Sequence, residues 1–157
     1  MNEDKQIQEI IQALKYAVGD IQHNKERTLS AFILCVCCVD ALGALRYFKG
    51  KSAARWEKFV TNYMQDYKDL DIYDKCRNKL VHNYTGNKKY AVTNDPTFTK
   101  PHDTINGKLI VNTNYLIASI EAAFEVIKIE LLDEDSETRK NAIKWDNNFP
   151  FFRHTTI

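Results

Sequence analysis

Glycine and proline are scarce, five and three residues in a chain of 157. A fold of many short strands needs more of both to turn its corners, so long regular elements with few breaks are expected. A long uncharged apolar run is also missing. The most apolar stretch, Ala31 to Leu45, is shorter than the roughly 18–20 residues a membrane span needs, and Asp40 sits inside it. It reads as a buried core helix, and no membrane partner is expected. The polar start, Met1-Asn2-Glu3-Asp4-Lys5, does not have the pattern of a signal peptide. The four cysteines, Cys35, Cys37, Cys38 and Cys76, come with no second Cys-x-x-Cys and no Cys/His framework. Neither a metal site nor a cofactor is expected from them. Three lie too close together on one predicted helix to staple a fold, so they read as reduced core thiols of a cytoplasmic protein.

A large net charge is missing too. The chain carries +1 overall, which excludes a general polyanion binder. Its distribution is less even. From Lys75 to Lys108 seven Lys/Arg face two acids, and from Glu121 to Glu137 seven acids face one Lys. The basic stretch fits a phosphate-bearing ligand, although solvated faces account for such runs equally well.

What is present is helical periodicity. Ile7, Ile10, Ile11, Leu14, Ala17, Val18 and Ile21 recur at three- and four-residue steps, predicting a first amphipathic helix broken at His23-Asn24-Lys25. Thr28 or Ser30 is placed to cap a second, central helix running to about Phe48 and stopped by Lys49-Gly50. Ser52 is placed to cap a third, with Trp56, Phe59, Val60, Tyr63, Met64 and Tyr67 as its core stripe. A fourth spans about Leu70 to Asn83. The pattern then changes: Tyr90–Thr93 and Lys108–Val111 are β-prone, with turn signals between them, predicting a small hairpin or ordered loop over about 87–112. A long helix follows from about Thr113 to Leu132, then a short one from Ser136 to about Trp145. The end, Phe149-Pro150-Phe151-Phe152, is apolar enough to dock on the body or a second subunit. The expected fold is all-α: an up-and-down bundle of about five helices with a hairpin or long loop inserted before the last long one. It divides into a helical body at 1–135 and a C-terminal extension at 136–157.

The run Arg77-Asn78-Lys79-Leu80-Val81-His82 is where chemistry is expected. On a helix at about 100° per residue, Leu70, Ile72, Tyr73, Cys76, Leu80 and Val81 share the core-facing arc, with Arg77 toward its edge. His82 falls about 140° from Arg77, on the polar side beside Asn78, while Tyr84 shares the side of Arg77. An imidazole there titrates near neutrality, and a guanidinium offers a fixed fork of donors to phosphate oxygens. Asn78 is placed to hold one tautomer. These parts suit metal-free RNA cleavage: His82 moves a proton at the ribose 2′-OH or the leaving oxygen, and Arg77 stabilises charge on the phosphate. One imidazole does not readily do both jobs, so two such helices meeting across a homodimer are expected.

Arg77-Asn78-x-x-x-His82, late in a helix of a small bundle, resembles the HEPN superfamily (higher eukaryotes and prokaryotes nucleotide-binding). With Tyr84 it makes Arg-x4-His-x-Tyr, similar to the HepT toxins. The resemblance implies a homodimeric, metal-independent endoribonuclease of a toxin–antitoxin or defence system. Arg77 and His82 would be catalytic, Asn78 supporting, and Tyr84 the target of a separate antitoxin or nucleotidyltransferase. The insertion at about 87–112 and the C-terminal extension are additions to the minimal pattern. The alternative is a HEPN-like module that only dimerises or binds a nucleotide or protein.

Lys75, Lys79, Lys88, Lys89 and His102 are candidate substrate contacts. Asp40, a lone charge in the most apolar helix, either reaches across to orient Arg77 or Tyr84, pairs with Arg46 or a tyrosine hydroxyl, or is simply exposed at a dimer seam. His23 and His154 carry no expected role. Trp56, Tyr63 and Tyr67 lie at helical spacing and read as core rather than as base-stacking residues.

Overall fold

A computed structural model of the protein describes residues 2–73 and 88–149. The described chain is mainly helical, with a small sheet inserted before the long helix near its C-terminal end. α1 spans Glu3–His23, and its N-terminus is closed by the Asn2 side chain, which accepts from the Asp4 amide at 2.9 Å. Ile7, Ile10, Ile11, Leu14 and Ile21 face inward.

α2, Thr28–Arg46, packs against α1 and against three later helices: α3 (Ser52–Tyr63), α4 (Thr113–Leu132) and α5 (Glu137–Asn148). That central position explains its composition, because a helix surrounded by neighbours has little face left for polar residues. The expectation that Ala31–Leu45 is too short for a membrane span does not extend to the whole helix. With mean hydropathy 2.1 it is long and apolar enough to cross one, and 56% of that apolar window is buried within the fold. Phe32, Leu42 and Leu45 are fully buried; removing one such side chain from water contributes about 1.5–3 kcal/mol. Gly43 sits at the closest approach of α2 to α3: a side chain there would begin 3.2 Å from the Arg55 carbonyl oxygen.

Thr28 and Ser52 do not cap their helices. Each is the first helical residue, preceded by Arg27 and Lys51, neither of which makes a side-chain cap bond. Lys51 takes the extended geometry of a cap (φ −71°, ψ 149°), which shifts Ser52 one place into the helix. α3 ends at Tyr63, earlier than its apolar stripe, because Met64 leaves helical geometry; Met64 and Tyr67 still reach the core, Tyr67 from a short 3₁₀ turn at Gln65–Tyr67. The expected fourth helix is described only at its start, where Leu70 and Asp71 are not helical and Ile72 and Tyr73 are. The rest of it, with Lys75, Cys76, Lys79 and the Arg77–Tyr84 motif, lies outside the described residues, as does the tail from 150.

The insertion holds three strands, β1 (Tyr90–Thr93), β2 (His102–Ile105) and β3 (Lys108–Asn112), in the order β1-β3-β2. The hairpin joins β2 to β3 through Asn106-Gly107, both at positive φ (51° and 73°), the backbone that a two-residue turn demands. The two runs that the sequence marked as β-prone are neighbours, but they pair in parallel, Tyr90 opposite Leu109.

α5 closes the body. Ser136 caps it, accepting from the amides of Thr138 and Arg139. Buried Arg139 donates to the Leu131 carbonyl and pairs with Asp4 at 2.5 Å, and Gln6 donates to Asp146 at 2.8 Å. A polar knot ties the remaining helices together. Glu130 on α4 accepts from the Tyr63 hydroxyl (2.8 Å) and from Thr138, and Arg46 lies 3.2 Å from it while donating to the Tyr63 oxygen at 2.8 Å.

Candidate functional site

The two ends of the segment that carries the motif are anchored in different surroundings. Its N-terminal side leaves from an open cavity of about 310 Å³ between α3 and the turn that follows it. Trp56, Val60, Tyr67, Leu70 and Tyr73 form the apolar part of the lining, with the Trp56 and Tyr73 rings 5.5 Å apart. Glu57, Asp69 and Asp71 face one cation, Lys68, in the remainder. Acids in that excess repel phosphate, so the cavity is suited to a flat, uncharged or cationic group rather than to a nucleic-acid backbone. Asp69 holds φ +67°, an uncommon backbone for a residue with a side chain.

The C-terminal side emerges at Lys88-Lys89, directly before β1. There the sheet adds a third lysine. The parallel register sets Tyr90 opposite Leu109, so Lys89 lies beside Lys108, and the Leu109 amide donates to the Lys89 carbonyl at 2.8 Å. Lys88, Lys89 and Lys108 are all exposed at this end of the sheet. Three positive charges gathered at an exposed edge, with Lys89 making an interaction of its own, attract phosphate. Lys108 was visible in the basic run, but grouping it with Lys88 and Lys89 requires the strand pairing, which no local pattern reveals.

His102 and Lys100 do not join this cluster. His102 pairs with Val111, near the opposite end of β3, about 10 Å along the strand from Lys108. Its Nε2 lies 2.7 Å from the Asp66 carbonyl oxygen, and its ring leans on Tyr67. A ring held at both places serves to dock the sheet on the helical body. Lys100 is paired with Asp103 at 2.7 Å; this bond holds the Asp103 carboxyl below its ordinary range, helped by the Thr104 amide.

Asp40 lies on the less buried side of α2, near Cys37 and Ala41, and one of its carboxylate oxygens is shut away from solvent. It makes an interaction of its own. Arg46, one of its expected partners, has its guanidinium engaged with Tyr63 and Glu130. Burial of the Tyr63 hydroxyl, with the bond to Glu130, raises its pKa to about 12 against the opposing bond from Arg46, so it stays protonated at any working pH.

Among the described residues no group of three His, Cys, Asp or Glu is placed to hold a metal ion. The described part of the molecule is thus a helical body with a small mixed sheet, an aromatic-lined cavity and a lysine edge. Comparison with protein-family models, with curated proteins and with solved structures finds no match to this chain.

Proposed function

We propose that this protein is a metal-independent endoribonuclease of the HEPN type, acting on single-stranded or loop RNA as a homodimer. The observation that carries the reading is the Arg77-Asn78-x-x-x-His82 motif, which supplies a neutral-pH proton carrier and a phosphate-binding fork within six residues. The surroundings of the motif segment support it. Lys88, Lys89 and Lys108 offer a phosphate track where that segment ends. The cavity beside Trp56 and Tyr73, where it begins, has the size and aromatic lining to seat an unpaired base away from the charged backbone.

In this mechanism the 2′-hydroxyl of the substrate ribose loses its proton to a neutral His82 and attacks the adjacent phosphorus. The 5′-oxygen leaves with a proton from a second imidazole, supplied by the other copy, and a 2′,3′-cyclic phosphate remains. Arg77 stabilises the extra charge on the phosphoryl oxygens, a contribution of about 2–4 kcal/mol. A separate antitoxin or nucleotidyltransferase acting on Tyr84 fits the same reading, as does action in a reducing, cytoplasmic compartment.

The test is cleavage of a mixed RNA pool in EDTA. The native chain should cut, and His82→Ala and Arg77→Ala should each lose at least about 100-fold in rate. No cutting by the native chain, or equal cutting by the variants, would reject the proposal. Replacing Lys88, Lys89 and Lys108 together by Glu should weaken RNA binding and flatten its salt dependence by about two units of slope. A non-catalytic dimerisation module is the second reading, favoured by the uncovered apolar side of α4.

A further inference from the structure

One face of α3 mixes two kinds of side chain at helical spacing. Ala53, Trp56 and Val60 are apolar, and Glu57 and Thr61 lie beside them one turn apart; all border the cavity of about 310 Å³ at the start of the motif segment. That volume is at the small end of ligand pockets, enough for a single flat ring system. The rest of the lining comes from the turn after α3, Lys68 to Asp71, and from Tyr67 and Tyr73.

Burial separates a floor from a rim. Trp56 and Tyr67 are 6% and 1% exposed and belong to the floor. Tyr73 is half-buried, its ring centroid 5.5 Å from that of Trp56, and keeps ring surface for stacking. Glu57, Thr61, Lys68, Asp69 and Asp71 are exposed and make the rim. Asp71 and Tyr73 make interactions of their own, but among the described residues the side chains of Glu57, Lys68 and Asp69 are tied to no partner.

Two free carboxylates and one free ammonium distinguish among the flat groups that RNA carries. Guanine has the matching edge: N1–H and the N2 amine are adjacent donors for carboxylate oxygens, and O6 beside them is an acceptor for an ammonium or the Thr61 hydroxyl. In adenine and cytosine the amine stands next to a ring-nitrogen acceptor, which a carboxylate repels. In uracil N3–H lies between two carbonyls. A cationic side chain, the other occupant such acids admit, meets a like charge at Lys68 and brings it no acceptor.

The place of the cavity in the chain gives the base a role. Tyr73 precedes Arg77 by four residues, which span at most about 14 Å in any conformation. A base stacked on Tyr73 therefore flanks a phosphate held at Arg77. The acids of the rim keep phosphates out of the cavity itself and leave them to the motif and the lysine edge.

We propose that this cavity is a base-selecting pocket for guanine, with Glu57 and Asp69 accepting from N1–H and the N2 amine, Lys68 donating to O6 and Tyr73 stacking on the ring. Its part in choosing where RNA is cut rests on the ribonuclease reading; its preference for guanine is measured without any cutting.

Nucleosides have no phosphodiester to cleave, so the native full chain is titrated with them by NMR. Guanosine should bind at least about 10-fold more tightly than adenosine, cytidine or uridine, and inosine, which lacks the N2 amine, should fall between. Arginine amide should not displace it. Glu57→Gln and Asp69→Asn alter exposed side chains, and Asn tolerates the positive φ at position 69, so the thermal midpoint should stay in place while each erases most of the preference. No binding of any nucleoside at millimolar concentration, or equal binding of all four, overturns the proposal. So does a guanosine preference that survives in the double variant, or displacement by arginine amide. In RNA digests, cuts should fall beside guanine. Cutting that ignores the base rejects the pocket and keeps the ribonuclease reading; guanosine binding without RNA cutting does the reverse.

Discussion

Three thiols within four residues of α2 have different chemistry because successive positions on a helix face different surroundings. Cys35 and Cys38 are buried, and Cys37 is exposed. Burial, reinforced by the neighbouring Cys37, pushes Cys38 up to about 12, and burial pushes Cys35 higher still. Thiolate is the reactive form, so iodoacetamide at pH 8 should label Cys37 rapidly and spare the other two until the chain unfolds, as peptide mapping would show. The same shifts set a pH limit. Below the ordinary thiol value of 9.0 both states keep their protons and the stabilisation is complete. As pH climbs from about 9 toward 12, the unfolded chain ionises first, so stability should decline over that window and denaturant midpoints should fall. Replacing Cys35 and Cys38 by Ala should flatten the decline. The reading of these cysteines as small core residues holds for two of the three on α2, because a four-residue run cannot all face inward.

At the scale of elements, contact between α2 and α3 depends on one missing side chain. Gly43 lets the Arg55 carbonyl and Phe59 approach; Gly43→Val should separate the helices and cost about 2–3 kcal/mol, a fall of roughly 5–10 °C in thermal midpoint. Helix positions were legible wherever the periodic stripe was long. The bounds of α4 follow from the sequence; α5 was placed from Ser136 to about Trp145, whereas Ser136 caps it from outside and the helix runs on to Asn148. Thr28 and Ser52 offered the same residue types, but the backbone entered each helix one residue sooner. The strands were found and mispaired for a different reason. Asn106-Gly107 marks a turn within the sequence, whereas the pairing of Tyr90 with Leu109 is a tertiary choice with no local signature.

For the whole molecule, the core was readable and the network across it was not. Ile7, Phe32, Phe59 and Ile120 announce themselves by spacing. Nothing in the spacing predicts that Glu130, within the acidic run, turns inward to join Arg46, Tyr63 and Thr138. Glu130→Ala leaves three polar groups to find new partners and should cost about 2 kcal/mol, moderated by water reaching the partly exposed pair. Tyr63→Phe keeps the ion pair and should cost about 1 kcal/mol in the same urea titration. The candidate site divides in the same way. Its motif is a string of residue types, open to inspection in any sequence, but the lysine edge and the aromatic-lined cavity each arise from chain segments that meet only on folding.

Asn112 ends β3 and also caps α4, accepting from the Asn114 amide while donating to the Phe98 carbonyl at 2.5 Å. No residue is left between strand and helix to absorb a change. One amino acid inserted there would turn α4 through about 100° against the sheet, carrying its buried side out of the body. Length variation in this protein should therefore collect in the loop from Asn94 to Pro101, and the joint at 112 should be the place where the chain's length is fixed.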